Sequence, residues 1–430
     1  MTRVAILEPD PRICGAVTWA LHVKPGLQRM GFEVEIVSPT KSGKAPNRWG
    51  VDPRPDHGAR WSNWVPDAIP RHDAAAAYLR EFDFVILPEP KSSGPDKEAI
   101  KAKEKPPYIG WLEKCGRPFI TALMGPQYGP QWHCDFMPDL FALPNFVPVI
   151  ATSQRAFADT NPALQDPRIR YVEHPLPYQP VHPVDAARGD FPIVGFTGRM
   201  MPNLGPQLLA AAASQIDAAS VELWGSASVG LGANATYVLW KFMIENGWVG
   251  ERLAHRLNCT NCKRNYDGAR MPPGGIVCEC GFRMNGEIRP SAWWVQKDGR
   301  QVSYFGAYVS EVETCARFNV HVDLTGHDYT WGLEKYTSLE AIDAGCIPVL
   351  PDHLNINGFA VKHVAIENPK SITRIERDQA NEQLSAVTQA CNDALHLSPA
   401  DRLAAIAYNR QHLIDTNDPL SFVTAWLGAW

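Results

Sequence analysis

Three groups of residues in this chain have types and spacings that could do chemistry. The tightest is Cys259-x2-Cys262, fifteen intervening residues, then Cys278-x-Cys280. Two closely spaced thiol pairs separated by a glycine-rich stretch can converge on one tetrahedral zinc ion. The second pair has one intervening residue where two are usual, and Gly281 directly after it suits a tight knuckle. Disulfide pairing is the bland alternative, and a reducing compartment disfavours it. The expectation is a structural Zn2+ with four filled positions and therefore no catalytic role.

The second group is split between "GFTGRMMPN" (195–203) and "EKYTSLEAIDAGCIPVLP" (334–351). Gly195 and Gly198 let the backbone come close to a ligand, and Arg199 offers phosphate a planar, two-pronged cation. Tyr336, Thr337 and Ser338 stand where a helix of about three turns should begin. Glu340 lies in its opening turns, and Gly345 stops it before "CIPVL". The first N–H groups of a helix are unpaired and carry the positive end of its dipole, which suits a diphosphate. A carboxylate at Glu340 suits the paired hydroxyls of a ribose. Singly, each feature has a plainer reading: a Gly–Arg turn is only a turn, and a glutamate there complements the dipole. In order, at successive strand ends, they form a nucleotide-diphosphate site.

The third group, "MGPQYGPQWHCDF" (124–136), carries His133 and Asp135 after a strand. An imidazole exchanges protons near neutral pH, so His133 is the candidate to contact a reacting group. The bland reading is a hydrogen-bonded structural histidine among aromatics. Gly15, in the loop after the first strand, would admit a ligand to the backbone.

The elements that must position these groups alternate along the chain. "RVAILEP", "FEVEIVSP", "DFVILPE", "RPFITALMG" and "VPVIATS" read as strands, and "AVTWALHVKPGLQRMG" and "AAAAYLREF" as helices, with Pro25 a break or kink in the former. Such alternation implies a parallel sheet wound by helices on both faces. A proline-rich stretch at 175–192 marks an interdomain connection. The alternation then restarts with "FPIVGFTGRM", "PQLLAAAASQI" and "SVELWG", and continues through "VSYFGAYV", "NVHVDLT" and "IPVLP". It is interrupted at 228–300 by an insertion that opens with a helix and becomes rich in cysteine, glycine and arginine. The expected organisation is a domain at 1–180, a second at 191–400 holding that insertion, and closing helices at 401–430 that cross back to the first.

Composition sets the outer limits. The 430 residues suffice for two domains, and 45% apolar with 20% charged residues is a globular profile. No apolar run approaches the roughly 18–20 residues of a membrane span. "MTRVAILEPD" lacks the basic start and apolar core of a signal peptide, so a cytoplasmic protein is expected. Six scattered cysteines (Cys14, Cys115, Cys134, Cys315, Cys346, Cys391) read as small core hydrophobes. The net charge of −5 excludes a surface that is basic throughout. The insertion differs: residues 251–300 hold nine Lys/Arg against five Asp/Glu, with Trp293 and Trp294 close by. Cations with aromatics suit nucleic acid, against the plain reading of a solvated face.

"GFTGRMMPNLG", "SVELWGSA", "VSYFGAYVSEVETCARFNVHVDLT" and "EKYTSLEAIDAGCIPVL" together resemble the donor half of retaining GT-B glycosyltransferases, with a donor domain like that of glycosyltransferase family 4. The resemblance implies two Rossmann-like α/β domains, the C-terminal one binding a nucleotide-sugar. It implies Arg199 and Gly198 on the donor diphosphate, Thr337 and Ser338 capping it, Tyr336 beside it and Glu340 on the ribose. Leu204 stands where the family has a lysine, and Gly332 where it has a glutamate, for which Glu334 is the nearest substitute. The reading that follows is hexosyl transfer from a nucleotide-diphosphate sugar. Its leading acceptor is a hydroxymethylated base in DNA, as in bacteriophage DNA modification, with His133, Asp135 and Glu334 nearest the chemistry. The alternatives are a small-molecule or glycan acceptor, a nucleotide-sugar epimerase, and a transferase fold that only binds nucleic acid through a zinc ribbon.

Overall fold

The computed structural model describes residues 1–7, 15–37, 71–88, 90, 106–123, 137–152, 166–176, 192–198, 200, 204–225, 232–252, 256–258, 265–267, 276–277, 283–284, 293–306, 314–326, 336–354, 358–366 and 377–428. The chain forms two compact units. The first comprises Met1–Tyr178, Trp331–Tyr336 and Leu413–Trp430; the second comprises Gln179–Thr330 and Thr337–His412.

The first unit runs β1 (Arg3–Leu7), α1 (Gly15–Arg29), β2 (Glu33–Val37), α2 (Arg71–Leu79), β3 (Phe84–Pro88), α3 (Pro107–Cys115), β4 (Phe119–Leu123), α4 (Met137–Phe141), β5 (Phe146–Thr152) and β6 (Ile169–Tyr171). Its sheet is parallel throughout, in the order β2-β1-β3-β4-β5-β6. Strands buried on both faces read as unbroken apolar runs, and their alternate residues serve opposite cores. In β1, Ala5 and Leu7 enter the core beneath α2 and α3, while Val4 and Ile6 enter the one shared with α1. Pro25 lies inside α1 and does not end it. The helix at the chain's end, later called α10 (Pro419–Leu427), packs on α1, with Trp19, Phe422 and Trp426 edge to face at 5.6–5.7 Å. Each such buried side chain contributes about 1.5–3 kcal/mol through removal from water. Tyr336 also belongs to this unit, its ring 4.7 Å from that of His22 and 5.0 Å from that of His174.

The second unit begins with β7 (Ile193–Thr197), α5 (Pro206–Ala212), β8 (Ser220–Trp224), α6 (Gly232–Glu245) and β9 (Val249–Arg252). Four short strands follow: β10 (Arg256–Asn258), β11 (Asn265–Asp267), β12 (Ile276–Val277) and β13 (Arg283–Met284). It continues with β14 (Trp293–Lys297), β15 (Arg300–Gly306), β16 (Val320–Val322), α7 (Tyr336–Asp343), β17 (Ile347–Pro351), β18 (Lys362–Val364), α8 (Arg377–Leu395) and α9 (Pro399–Asn417). The main sheet has the order β18-β17-β16-β7-β8-β15-β14-β9, parallel as far as β15 and antiparallel beyond. Asp298 and Gly299, with φ of 51° and 77°, make the tight turn from β14 to β15. Strands at both ends of the 228–300 segment thus belong to this sheet, β9 as its edge and β14 next to it, paired Arg252 to Trp293. Periodicity within the segment gave no sign of this. The four short strands form two separate hairpins, β10–β11 and β12–β13. No helix among the described residues is long and apolar enough to cross a membrane.

Candidate functional site

In the second unit the chain passes from β7 to β8 on one side and returns later to β16 on the other. The ends of β7 and β16 therefore flank the switch point of an open α/β sheet, where the connections leave a crevice for ligands. β7 ends at Thr197 and turns at Gly198, whose φ of 141° favours glycine. The Gly198 N–H donates to the Trp224 carbonyl at 3.0 Å, closing β7 against β8. Gly225 follows at a φ of 151°, and a Cβ there would lie 1.5 Å from the Gly198 carbonyl oxygen. Two backbone turns touch here without room for a side chain.

This contact is held from below. The Tyr304 hydroxyl donates to the Gly225 carbonyl at 2.9 Å. The Trp224 indole N–H donates to the buried Glu222 carboxylate at 2.9 Å, and its ring stacks on Phe305 with centroids 4.4 Å apart. Arg317 donates to Glu222 at 2.8 Å and lies 5.4 Å from the Trp224 ring. Gly195, three residues before Gly198, lets the Phe318 ring lie on the strand, for its Cβ would meet that ring at 2.2 Å.

Beside the glycine turn lies a buried polar group. Thr197 Oγ1 and His321 Nε2 are 2.9 Å apart, both buried. Asp323, just past β16 and also buried, accepts from the Thr325 N–H at 3.0 Å and from its hydroxyl at 2.6 Å. This closes an Asx turn, in which a side chain takes the place of backbone pairing. Thr325 in turn offers its carbonyl to His353 Nε2 at 2.8 Å. The Thr337 hydroxyl, at the start of α7, is 3.5 Å from Asp323 Oδ2. The strand end and the helix start are thereby tied to one carboxylate.

Helix α7 has eight residues, shorter than the three turns the sequence predicts, and Glu340 is the fifth. Ser338 and Glu340 are buried. The helix closes with Gly345 at φ 83°, its N–H on Ile342 O at 2.9 Å and that of Cys346 on Ala341 O at 2.9 Å. Arg410, itself buried, donates through Nε and Nη2 to the Asp343 carbonyl at 3.0 and 2.8 Å. A buried cation at the C-terminal end satisfies the negative pole of the dipole and leaves the positive pole at Thr337 and Ser338 as the end suited to an anion.

Of the residues singled out from sequence, Gly198, Thr337, Ser338 and Glu340 all belong to this carboxyl edge of the second sheet. Tyr336 counts with the first unit, and Gly15 is the first residue of α1 there. Leu204 packs against the second unit's core, so no cation stands at that position. Arg199, Glu334, His133, Asp135, Cys259, Cys262, Cys278 and Cys280 lie outside the described residues. Among the described residues, no cluster of His, Cys, Asp or Glu could hold a metal ion. Thr197, His321, Asp323 and Gly225 are the site's structural additions. Their sequence signal is a histidine and an aspartate alternating in an otherwise apolar strand, "NVHVDLT".

No family model matches the chain, and neither does any curated protein sequence. Solved structures do. HepE of Anabaena, in complex with UDP-glucose, superposes with a TM-score of 0.61 at 12% identity, covering 100% of this chain and 99% of its own. An α-glucosyltransferase in complex with UDP-glucose and DNA containing an abasic site gives 0.55 at 13% identity, over 99% and 98%. Sucrose-phosphate synthase of Thermosynechococcus elongatus gives 0.58 at 14% identity, over 100% and 97%. The chain thus has the GT-B fold of these glycosyltransferases along its whole length.

Proposed function

We propose that the protein transfers a hexose from a nucleotide-diphosphate sugar, UDP-glucose in the first instance, to an acceptor hydroxyl. One observation carries this reading. At the switch point of the second sheet, a backbone-tight glycine turn and the positive pole of α7 stand together, with a buried carboxylate one turn into the helix. In the reading, Gly198, Arg199, Thr337 and Ser338 hold the diphosphate, and Glu340 accepts from the ribose hydroxyls. The bond from the anomeric carbon to the diphosphate oxygen breaks, the acceptor oxygen takes its place, and the hydroxyl proton passes to the departing diphosphate oxygen. The departing diphosphate keeps its charge on Arg199 and the helix pole, so no protein nucleophile is required. His133, Asp135 and Glu334 are assigned to the sugar and acceptor side. Zinc has no step in this reaction.

For the acceptor we favour a hydroxymethylated base in DNA. The supports are the cationic insertion and the fold shared with a glucosyltransferase crystallised on DNA; Trp293, expected from sequence to stack on bases, is instead buried in the core of the second unit. The test is calorimetric titration of UDP-, GDP-, ADP- and TDP-sugars, followed by transfer of labelled sugar to duplexes with and without hydroxymethylated bases. Arg199→Ala and Glu340→Ala should each weaken donor binding by about 1–3 kcal/mol, the loss of one charge-assisted hydrogen bond. Unchanged affinity in both would remove the assigned site. Binding of DNA with no nucleotide-sugar turnover would favour a nucleic-acid-binding protein on an idle transferase fold.

A further inference from the structure

We infer that His321 and Asp323 are positioning residues for the donor, holding the two backbone segments of the diphosphate site at a fixed spacing. This rests on the donor site proposed above and adds to it two residues that touch no substrate. Side-chain alternation at the end of β16 sets them apart. Val320, Val322 and Leu324 enter the main apolar core of the second unit. His321 and Asp323, between them, turn to the opposite face. On β7 the same division puts Val194 and Phe196 in that core, and leaves Gly195 and Thr197 on the side of Phe318, which packs with Ala341 of α7. Both polar side chains are buried, His321 at 0% and Asp323 at 4% exposure. Burying an imidazole and a carboxylate is unfavourable unless hydrogen bonds replace water, and an apolar strand would avoid that penalty. The partners that stabilise them are the two halves of the site.

His321 reaches the first half. Its Nε2 lies 2.9 Å from the hydroxyl of Thr197, itself buried, and Thr197 is the residue before Gly198. A glycine has no side chain to anchor it, so its neighbours set the place of the turn. Asp323 reaches the second half. Its backbone N–H donates to the Val349 carbonyl at 3.1 Å, and one carboxylate oxygen accepts both bonds from Thr325. His353 holds Thr325 in turn by its carbonyl. The other carboxylate oxygen lies 3.5 Å from the Thr337 hydroxyl. That is long for a hydrogen bond, but a fixed negative charge beside the first turn also attracts the positive pole of α7. A Thr337 hydroxyl turned to Asp323 leaves the backbone N–H groups of Thr337 and Ser338 to meet phosphate. The end of β16 is thus a strut that sets the distance between the glycine turn and the helix pole. A nucleoside diphosphate spans that distance, and a monophosphate occupies less of it.

The test is calorimetric titration of the full chain with UDP and with UMP, beside urea unfolding of each variant. His321→Leu and Asp323→Asn should each weaken UDP about tenfold and UMP about twofold or less, so the preference for UDP falls. His321→Gln, which still offers a polar group to Thr197, should recover part of that preference. Asp323→Asn and Thr337→Val together should weaken UDP no more than the worse single change, because both cut one link. Additive losses would overturn the strut at that end, since the Thr337 hydroxyl would then serve the phosphate directly. A merely structural role lowers stability and leaves the UDP-to-UMP ratio at its wild-type value, and that result overturns the inference. Should Asp323→Asn not fold, Thr325→Val, which removes one bond fixing the carboxylate, takes its place. If Glu340→Ala weakens UDP while the β16 variants keep the wild-type ratio, the positioning role alone is lost. If the wild-type chain binds neither nucleotide, or Glu340→Ala changes nothing, the donor site is lost and the inference with it.

Discussion

Replacing Gly225 by alanine tests the site where its geometry is most exacting. The new Cβ would lie 1.5 Å from the Gly198 carbonyl oxygen and 2.7 Å from its carbon, both backbone atoms. Neither can swing aside as a side-chain tip would. The residue would also hold a φ of 151°, sparsely populated by L side chains at a cost of about 1–3 kcal/mol. Displacing packed backbone adds about 1–3 kcal/mol, by analogy with overpacked cores. The expected total is about 4 kcal/mol. Gly299→Ala is the control within the same sheet. It too has a positive φ, 77°, but nothing lies within 4 Å of its would-be Cβ, so only the left-handed backbone cost of about 1–2 kcal/mol applies. Urea titrations of the two variants should therefore differ by about 3 kcal/mol. Calorimetry should show a second difference. Gly225→Ala moves the turn that leads into Arg199, so UDP-glucose binding should weaken at least tenfold, about 1.4 kcal/mol. Gly299→Ala should bind as the wild type does. Equal losses of stability would refute the packing argument. A large loss with unaltered donor affinity would refute the link between this turn and the site.

Other perturbations probe the supports of the fold. Arg410→Met should cost about 2–3 kcal/mol, the loss of a buried charged donor pair from the Asp343 carbonyl, and Arg410→Lys should recover only part of it; thermal denaturation of both variants decides. Asp418 caps α10 through the Ser421 N–H at 2.9 Å and pairs with Arg29, so Asp418→Ala should cost about 1–2 kcal/mol near neutral pH. Burial pushes that carboxyl up, but the hydrogen bonds from Ser421 and Arg29 outweigh it and hold the group below the ordinary range. A depressed folded value means the contribution is complete above the unfolded value of about 3.9 and disappears as pH falls through the folded one. The gap between wild type and Asp418→Ala should accordingly narrow in acid below about pH 4, and a gap independent of pH would discount the carboxylate. Asp166, lowered chiefly by its hydrogen bonds from Arg168, should add to the same acid loss.

Much of this was legible in the one-dimensional pattern. The strands of both parallel sheets are unbroken apolar runs such as "RVAIL", "FVILP" and "IPVLP", because a strand covered on both faces has no polar side to show. The glycine stop of α7 is local chemistry and can be read locally: only a residue without Cβ takes a φ of 83° at no cost. The thiol spacing is likewise a sequence property.

Other features depended on partners remote in the chain. β9 and β14 read as parts of an insertion, yet they complete the second sheet, since edge pairing is chosen by neighbours more than by composition. Pro25 looked like a helix break and is carried within α1, where packing against α10 outweighs the lost hydrogen bond. Asp323 follows strand β16 directly. It gains its place only because β16 ends beside β7 and α7 begins over it, joining residues fourteen positions apart at one carboxylate. The sequence by itself determined the buried parallel strands and which residue types could meet a phosphate, because those depend on side chains a few positions apart. The tertiary structure alone decided that the turns at Gly198 and Gly225 touch, that Thr197 meets His321, and that Arg410 closes α7. Each joins residues far apart in the chain, and only the order in which strands pair brings them together.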